Sequence, residues 1–190
     1  MRCISCESLS WNIICKKCQS NLLQASFHKR ELENNIFVYS FYEYEDIKNL
    51  INTKYKFHGD RVFNILAKLA FKKFAQNFNF NSNVVAIPID DHTRHDFSQS
   101  AILAKHLKSN HIKPIYNTLK ATNIIKYAGK DLNFRKNNKR NFVYTGAKNI
   151  QVILVDDLVT TGLTILEAKE CLENHGCEVL FALTLSDARV

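Results

Sequence analysis

The sequence predicts an α/β protein: a parallel sheet flanked by helices, with a small metal-binding segment in front. Three observations predict it. Four cysteines crowd the first eighteen residues. An apolar run, Gln151–Val155, leads into a polar threonine- and glycine-bearing turn and then an amphipathic helix. A further apolar run, Glu178–Leu185, closes that strand–loop–helix–strand rhythm, which is the signature of a parallel sheet with a crossover helix.

The length of 190 residues fits one main domain with a small appendage, and 46% hydrophobic against 23% charged residues is a globular balance. The net charge of +8 favours phosphate-bearing partners without choosing among them. No run reaches eighteen apolar residues, so no membrane span is expected. The first residues lack an apolar signal-type stretch, so the expected location is the cytoplasm, where cysteines bind metal or stay reduced.

The cysteines read Cys3-x2-Cys6-x8-Cys15-x2-Cys18. A two-residue gap lets both thiolates of a pair reach one ion, and two pairs complete a tetrahedral four-sulfur shell suited to Zn²⁺. An iron–sulfur cluster or a thiol–disulfide pair is the alternative. Four thiolates leave no open position, so the role is structural, and metal binding would supply the folding energy of residues 1–20. Lys16 and Lys17 would offset the thiolate charge or touch phosphate. Cys171 and Cys177 read as small buried hydrophobes.

In the body, residues 21–190, Ile36–Tyr42 reads as a strand, and Ile47, Leu50 and Ile51 recur at helical spacing. Lys54 to Gly59 is a basic, aromatic turn. Val62, Ile65, Leu66, Leu69, Ala70, Phe74 and Phe78 describe one helical face, with Lys68, Lys72 and Lys73 toward the other. Val84–Ile89 is a buried strand leading into the acidic stretch that begins with Asp90 and Asp91. Ser98 caps a helix to Leu107, with Ala101, Ile102, Ala104 and Leu107 inward, and Ile112–Tyr116 is a weaker strand. From Lys120 to Asn141, seven cations face one acid, Asp131. That composition suits a mobile loop over a phosphate-rich ligand or a plain solvated loop.

The junction after Val155 carries the chemistry. Open α/β sheets place ligands at the carboxyl ends of parallel strands. Thr160, Thr161, Gly162 and Thr164 supply hydroxyls and backbone N–H groups at a helix N-terminus, which is a phosphate cradle. Gly162 would let the backbone approach the phosphate closely. Asp156 and Asp157 would repel a phosphate but suit vicinal hydroxyls or Mg²⁺. Together they read as a site for a phosphorylated sugar.

The stretch Val152 to Gly162 closely resembles the phosphoribosyl pyrophosphate (PRPP) motif of type I phosphoribosyltransferases. With the four-cysteine segment, the chain resembles the ComF (ComFC) competence family. Further likeness lies in Tyr44 with Leu50-Ile51 and Lys56-Phe57-His58-Gly59, in Ile87-Pro88-Ile89 with Arg94 and Phe97-Ser98-Gln99, and in Arg135-Lys136-Asn137 with Phe142. The chain departs from that pattern at Asp96, where the family has Gly, at Ser98, where it has Asn, and in an acidic, shorter loop after Pro88.

The resemblance implies a type I phosphoribosyltransferase fold. Asp156 and Asp157 would hold the ribose hydroxyls, and Thr160, Thr161, Gly162 and Thr164 the 5′-phosphate. Arg94, Lys126 and Arg135 would face pyrophosphate, with Zn²⁺ on the cysteines and Mg²⁺ accompanying PRPP. It also implies a cytoplasmic role in natural transformation, handling incoming single-stranded DNA, with Lys54, Lys56, Lys126, Lys130, Arg135 and Lys136 as backbone contacts. The alternatives are an active transferase in nucleotide metabolism and an adaptor docking a helicase-like partner through the cysteines.

Overall fold

The computed structural model describes residues 1–89, 97–123, 134 and 137–189. In chain order its elements are α1 (Lys16–Leu22), β1 (His28–Glu31), β2 (Phe37–Glu43), α2 (Tyr44–Ile51), α3 (Gly59–Leu69), α4 (Phe71–Asn77) and β3 (Val84–Pro88). Then come α5 (Gln99–Lys105), β4 (Ile112–Pro114), β5 (Leu119–Ala121), β6 (Phe142–Tyr144), β7 (Gln151–Val155), β8 (Leu158–Val159), α6 (Leu163–Asn174) and β9 (Glu178–Asp187).

The main sheet runs β1-β2-β9-β7-β3-β4, with β8 also on β9. Strands β2, β9, β7, β3 and β4 are parallel, and only β1 is antiparallel to its neighbour. Both faces of the sheet are covered, which is why β7 reads as a continuous apolar run rather than an alternation. Ile153 and Val155 join Leu103 and Ala104 of α5 and the cluster from α2 to α4. Val152 and Leu154 point the other way, onto Ile165, Ala168 and Leu172 of α6.

The chain leaves β3 through α5 to reach β4 on one side, and leaves β7 through α6 to reach β9 on the other. The carboxyl ends of β3 and β7 therefore form the switch point where such sheets bind ligands. A main-chain bond from Ile89 to the Val155 carbonyl, 2.8 Å, ties the two ends together.

The expected face over Val62–Phe78 is two helices rather than one. The backbone breaks at Ala70 (φ −110°, ψ −71°); Val62, Leu66 and Ala70 of the expected face are fully buried, and Phe63, Ala67 and Phe71 are buried beside them. Phe74 and Phe78 instead join a partly exposed aromatic cluster with Phe27, Tyr39, Phe41 and Phe181. Ser98 caps α5 as expected, its Oγ accepting from the Ala101 N–H at 3.2 Å. Ala104 and Leu107 are buried as expected, together with Leu103, whereas Ala101 and Ile102 are half-buried and line an open groove.

Among the elements outside the sequence reading are β1 and the β5–β6 hairpin. β1 (His-Lys-Arg-Glu) has no apolar alternation, because a charged edge strand presents no buried face. β5 and β6 pair antiparallel, Leu119 against Tyr144 and Ala121 against Phe142. They bracket the basic stretch that read as one loop. Its residues 124–133, 135 and 136 lie outside the described residues.

The four-cysteine segment is packed on the body. Ile13, Ile14, Cys18 and Leu23 belong to the same buried cluster as α2 to α4. The expected boundary at residue 20 falls inside α1.

Phe63 is fully buried in this cluster. Phe63→Ala is expected to lower unfolding stability by about 3–5 kcal/mol, read as a drop in the urea midpoint at unchanged slope.

Candidate functional site

Two sites stand out. In the first, the sulfur atoms of Cys3, Cys6, Cys15 and Cys18 all lie within 4.8 Å of one another. Cys6 Sγ and Cys15 Sγ are 3.7 Å apart, close to the ~3.8 Å that bonds of about 2.3 Å impose in a tetrahedral zinc–sulfur site. The backbone prepares the sulfurs for negative charge. The N–H of Cys15 donates to Cys3 Sγ at 3.2 Å and that of Cys18 to Cys15 Sγ at 3.4 Å.

Burial pushes the Cys3 thiol up, but backbone hydrogen bonds from Cys15, Ser5 and Cys6 outweigh it and bring it to about 6. Cys18 moves the other way, to about 12, because the hydrogen bonds with Cys6 and Cys15 raise it and burial adds to the effect. Thiols this close cannot all ionise by themselves. A divalent soft cation supplies the missing charge, so the donor set and spacing fit zinc. The other two cysteines are elsewhere: Cys177 is buried and Cys171 half-buried, each donating to a main-chain carbonyl.

The second site follows β7. The chain continues along β9 as β8, with Leu158 opposite Ser186 and Val159 opposite Asp187. Asp156 and Asp157 sit at the break between the two strands. Main-chain bonds from Asp156 N–H to Leu183 and from Leu185 N–H to Asp157 hold them there. Asp156 Oδ1 accepts from the Asp157 N–H at 2.8 Å. The Asp157 carboxylate is buried and accepts from Lys54 Nζ at 2.8 Å.

Desolvation pushes the Asp156 carboxyl up, and the neighbouring Asp157 charge pushes it further, to about 8. The Asp157 N–H, Arg140 and Lys54 pull against that shift. Burial alone would lower Lys54, but the charge and hydrogen bond of Asp157 outweigh it and hold the ammonium above its ordinary range.

Thr160, Thr161 and Gly162 then turn the chain into α6, which begins at Leu163 and includes Thr164 in its first turn. Thr161 Oγ1 accepts from the Leu163 N–H at 3.5 Å. Gly162 has φ +83°, a left-handed conformation that favours glycine. What a Cβ there would meet is Leu32 Cδ1, at 2.5 Å. The glycine thus serves close packing against the β1–β2 connection as well as the turn itself. Arg30 of β1 donates to the Thr160 carbonyl at 2.7 Å and to Asp187 Oδ1 at 2.9 Å, pinning the loop from outside.

Of the residues singled out in the sequence, Asp156, Asp157, Thr160, Thr161, Gly162 and Thr164 are brought together on one junction. Lys54 joins them, as the buried partner of Asp157 rather than as an open surface cation. Lys56 is exposed. Arg94, Lys126, Lys130, Arg135 and Lys136, and the acids Asp90 and Asp91, lie outside the described residues.

Sequence reasoning missed Arg30 and Leu32, which sit about 130 residues from the loop they hold, and no local pattern marks such a contact. It also missed Arg140. That residue lies at the end of the basic stretch, where sequence reasoning assigned it no role of its own; it acts electrostatically on Asp156 and donates its main-chain N–H to Glu167 Oε2 of α6 at 2.8 Å. A groove of about 600 Å³ between α5 and β4 is lined by Lys105, Lys108, Lys113 and Tyr116 and by none of the junction residues.

With that geometry in hand, comparison with known proteins is decisive at the level of family. The phosphoribosyl transferase domain family matches residues 58–189. The chain belongs to that family. The match spans β3, the β7–α6 junction and β9.

Among solved phosphoribosyltransferases, similar chains include a hypoxanthine phosphoribosyltransferase from Staphylococcus aureus, at 16% identity and TM-score 0.40, covering 66% of this chain and 62% of that one. This chain thus spans less than two thirds of that enzyme. Others are the UMP synthase of Leishmania donovani (16%, TM-score 0.40, 90% of this chain and 30% of that one) and the orotate phosphoribosyltransferase of Mycobacterium tuberculosis H37Rv (13%, TM-score 0.39, 90% and 94%). No curated protein matches. Among the described residues no helix is long and apolar enough to cross a membrane.

Two outcomes follow from this geometry. The intact chain should carry one zinc equivalent by native mass spectrometry, and Cys6→Ser or Cys18→Ser should release it and lower the thermal midpoint. The carboxyl of Asp156 rises from 3.8 unfolded to about 8 folded. Folding therefore carries an ionisation penalty that is absent below pH ~4 and grows as pH rises toward 8. Asp156→Asn should accordingly stabilise the ligand-free protein at pH 8.5 and leave it nearly unchanged at pH 4.5, measured by urea unfolding.

Proposed function

We propose that this protein binds PRPP at the β7–α6 junction and transfers its 5-phosphoribosyl group. The observation that supports it most is the arrangement at one switch point: two adjacent acids, then Thr160-Thr161-Gly162-x-Thr164 opening a helix. The acids provide acceptors for a vicinal diol, and the threonine loop with the first turn of α6 provides donors for the 5′-phosphate.

In the reaction the bond from ribose C1′ to pyrophosphate breaks and a bond from C1′ to the acceptor nucleophile forms. The electron pair leaves with pyrophosphate, and the acceptor's proton goes to solvent or to a basic group. Following the resemblance, Arg94, Lys126 and Arg135 would neutralise the departing pyrophosphate, and a Mg²⁺ accompanying PRPP would supply further positive charge there. Charge placed where it develops in the transition state is the main source of rate.

A second reading, handling of single-stranded DNA in the cytoplasm during natural transformation, rests on the ComF resemblance, as does a helicase-like partner docked through the cysteine segment. Its support in the structure is a set of exposed rings: Phe57 is 89% and Tyr55 57% exposed beside Lys54 and Lys56, and Trp11 on the cysteine segment is 99% exposed. Stacking on rings beside lysines is how single strands are held without sequence preference.

Calorimetry with Mg²⁺ and PRPP tests the first reading. Binding is expected in the wild type, and Asp157→Ala should abolish it while retaining zinc; unchanged binding in that variant overturns the site. Fluorescence anisotropy with a labelled oligodeoxythymidylate tests the second. Phe57→Ala with Lys56→Gln should weaken binding by about tenfold, and the salt dependence should flatten as the phosphate contact is lost.

A further inference from the structure

We propose that Lys54 is a positioning residue that makes this site select a sugar phosphate carrying both its 2′ and 3′ hydroxyls. The inference rests on the phosphoribosyl reading of the junction and assigns to it a residue from a remote part of the sequence.

Lys54 Nζ lies 2.8 Å from Asp157 Oδ2, with side-chain exposures of 18% and 10%. A lysine is almost never buried to this degree unless paired, so the pair is a constructed feature and not a surface accident. The turn that carries it is rigid. Thr53 Oγ1 donates to the Leu50 carbonyl at 2.6 Å, and the Lys56 N–H closes on the Thr53 carbonyl at 2.8 Å. A Cβ on Gly59 would lie 2.2 Å from that same carbonyl, so the helix α3 start is pressed against the turn. The lysine thus reaches the acid from a fixed base 103 residues earlier in the chain.

Asp157 is held at every other point as well. Its N–H goes to Asp156 Oδ1, its carbonyl accepts from Leu185, and Oδ2 is taken by Lys54. The charged groups around the acid pair are Lys54 and Arg140, with the Tyr55 hydroxyl acting on Lys54. Fixing one carboxylate oxygen fixes the direction of the other. Oδ1 of Asp157 is left as an acceptor of set orientation.

A buried acceptor that cannot turn is left without a partner when a ligand lacks the matching hydroxyl. That loss is what gives hydrogen-bonding sites their large discrimination. A carboxylate free to rotate would find water and discriminate less. The basic turn read from the sequence as a polyanion contact therefore acts here through Asp157, with Lys56 left facing solvent.

The test compares ribose 5-phosphate with 2-deoxyribose 5-phosphate, titrated by calorimetry into wild type, Lys54→Met, Lys54→Gln and Lys54→Arg. The wild type should prefer the ribose compound by at least tenfold. Lys54→Met should lose about tenfold on ribose 5-phosphate and little on the deoxy compound, so that the ratio falls toward one. Lys54→Arg should restore most of it. Circular dichroism and thermal melting establish which variants fold. Lys54→Gln, uncharged but able to hydrogen-bond, carries the comparison if the methionine variant does not.

An equal loss on both sugars assigns Lys54 a purely structural role and overturns the proposal. Tighter binding of ribose 5-phosphate by Lys54→Met, meaning that the ammonium competes with ligand, overturns it too. A wild type that binds neither sugar phosphate removes the phosphoribosyl reading itself, an outcome distinct from a preserved preference in every variant, which removes only the role of Lys54.

Discussion

Two carboxyl groups at adjacent positions, at the end of a strand buried on both faces, set the terms for everything around them. Water cannot solvate such a pair fully, and each charge raises the cost of the other. The protein answers from three directions. Lys54 arrives from the turn after α2, Arg140 from the far end of the basic stretch, and the backbone of β9 holds the acids by their peptide groups. The parallel sheet is what makes this convergence possible. It places the carboxyl ends of β3 and β7 side by side, and the connections from those ends diverge to opposite faces. A crevice at that point comes with the topology; its chemistry depends on which side chains the turns deliver.

The cysteine cluster solves a related problem by another route. Four sulfurs within bonding distance of one ion need a cation as surely as the acids do, but among the described residues no lysine or arginine is buried there. The charge is left for a metal to supply. Its position on the α2–α4 side of the sheet links metal binding to the same core that supports Phe63 and Leu66, so the segment serves the body's stability as well as its own.

How much of this was legible in the sequence depended on locality. The acid pair, the threonine loop, the helix after it and the cysteine spacing are short-range patterns, and all of them appear where the sequence placed them. The parallel sheet was legible because β7 and β9 are unbroken apolar runs. The break at Ala70 was not, since no glycine or proline marks it and the apolar spacing carries through. The hairpin of β5 and β6 was hidden because each strand has three residues and the chain between them is dominated by charge. Arg30, Leu32 and the partnership of Lys54 were illegible for one reason: each acts on a residue more than a hundred positions away. Lysine beside aromatics reads as a surface feature until the fold turns it inward.

The clasp of Arg30 on Thr160 and Asp187 has a consequence for the life of the chain before it is finished. Its partners are separated by 130 and 157 positions. During synthesis at ~5–20 residues per second, the first strand waits for several seconds or more before the residues it must hold exist. The threonine loop that Arg30 pins cannot take its final shape until β9 has left the ribosome and docked between β2 and β7. Contacts of such long separation also slow folding in general. The nascent protein therefore passes through an interval with an assembled cysteine segment and an unfinished sheet, its β2 edge open. The charged strand of His28, Lys29, Arg30 and Glu31 already covers the other edge of β2 and keeps that side from pairing with neighbours.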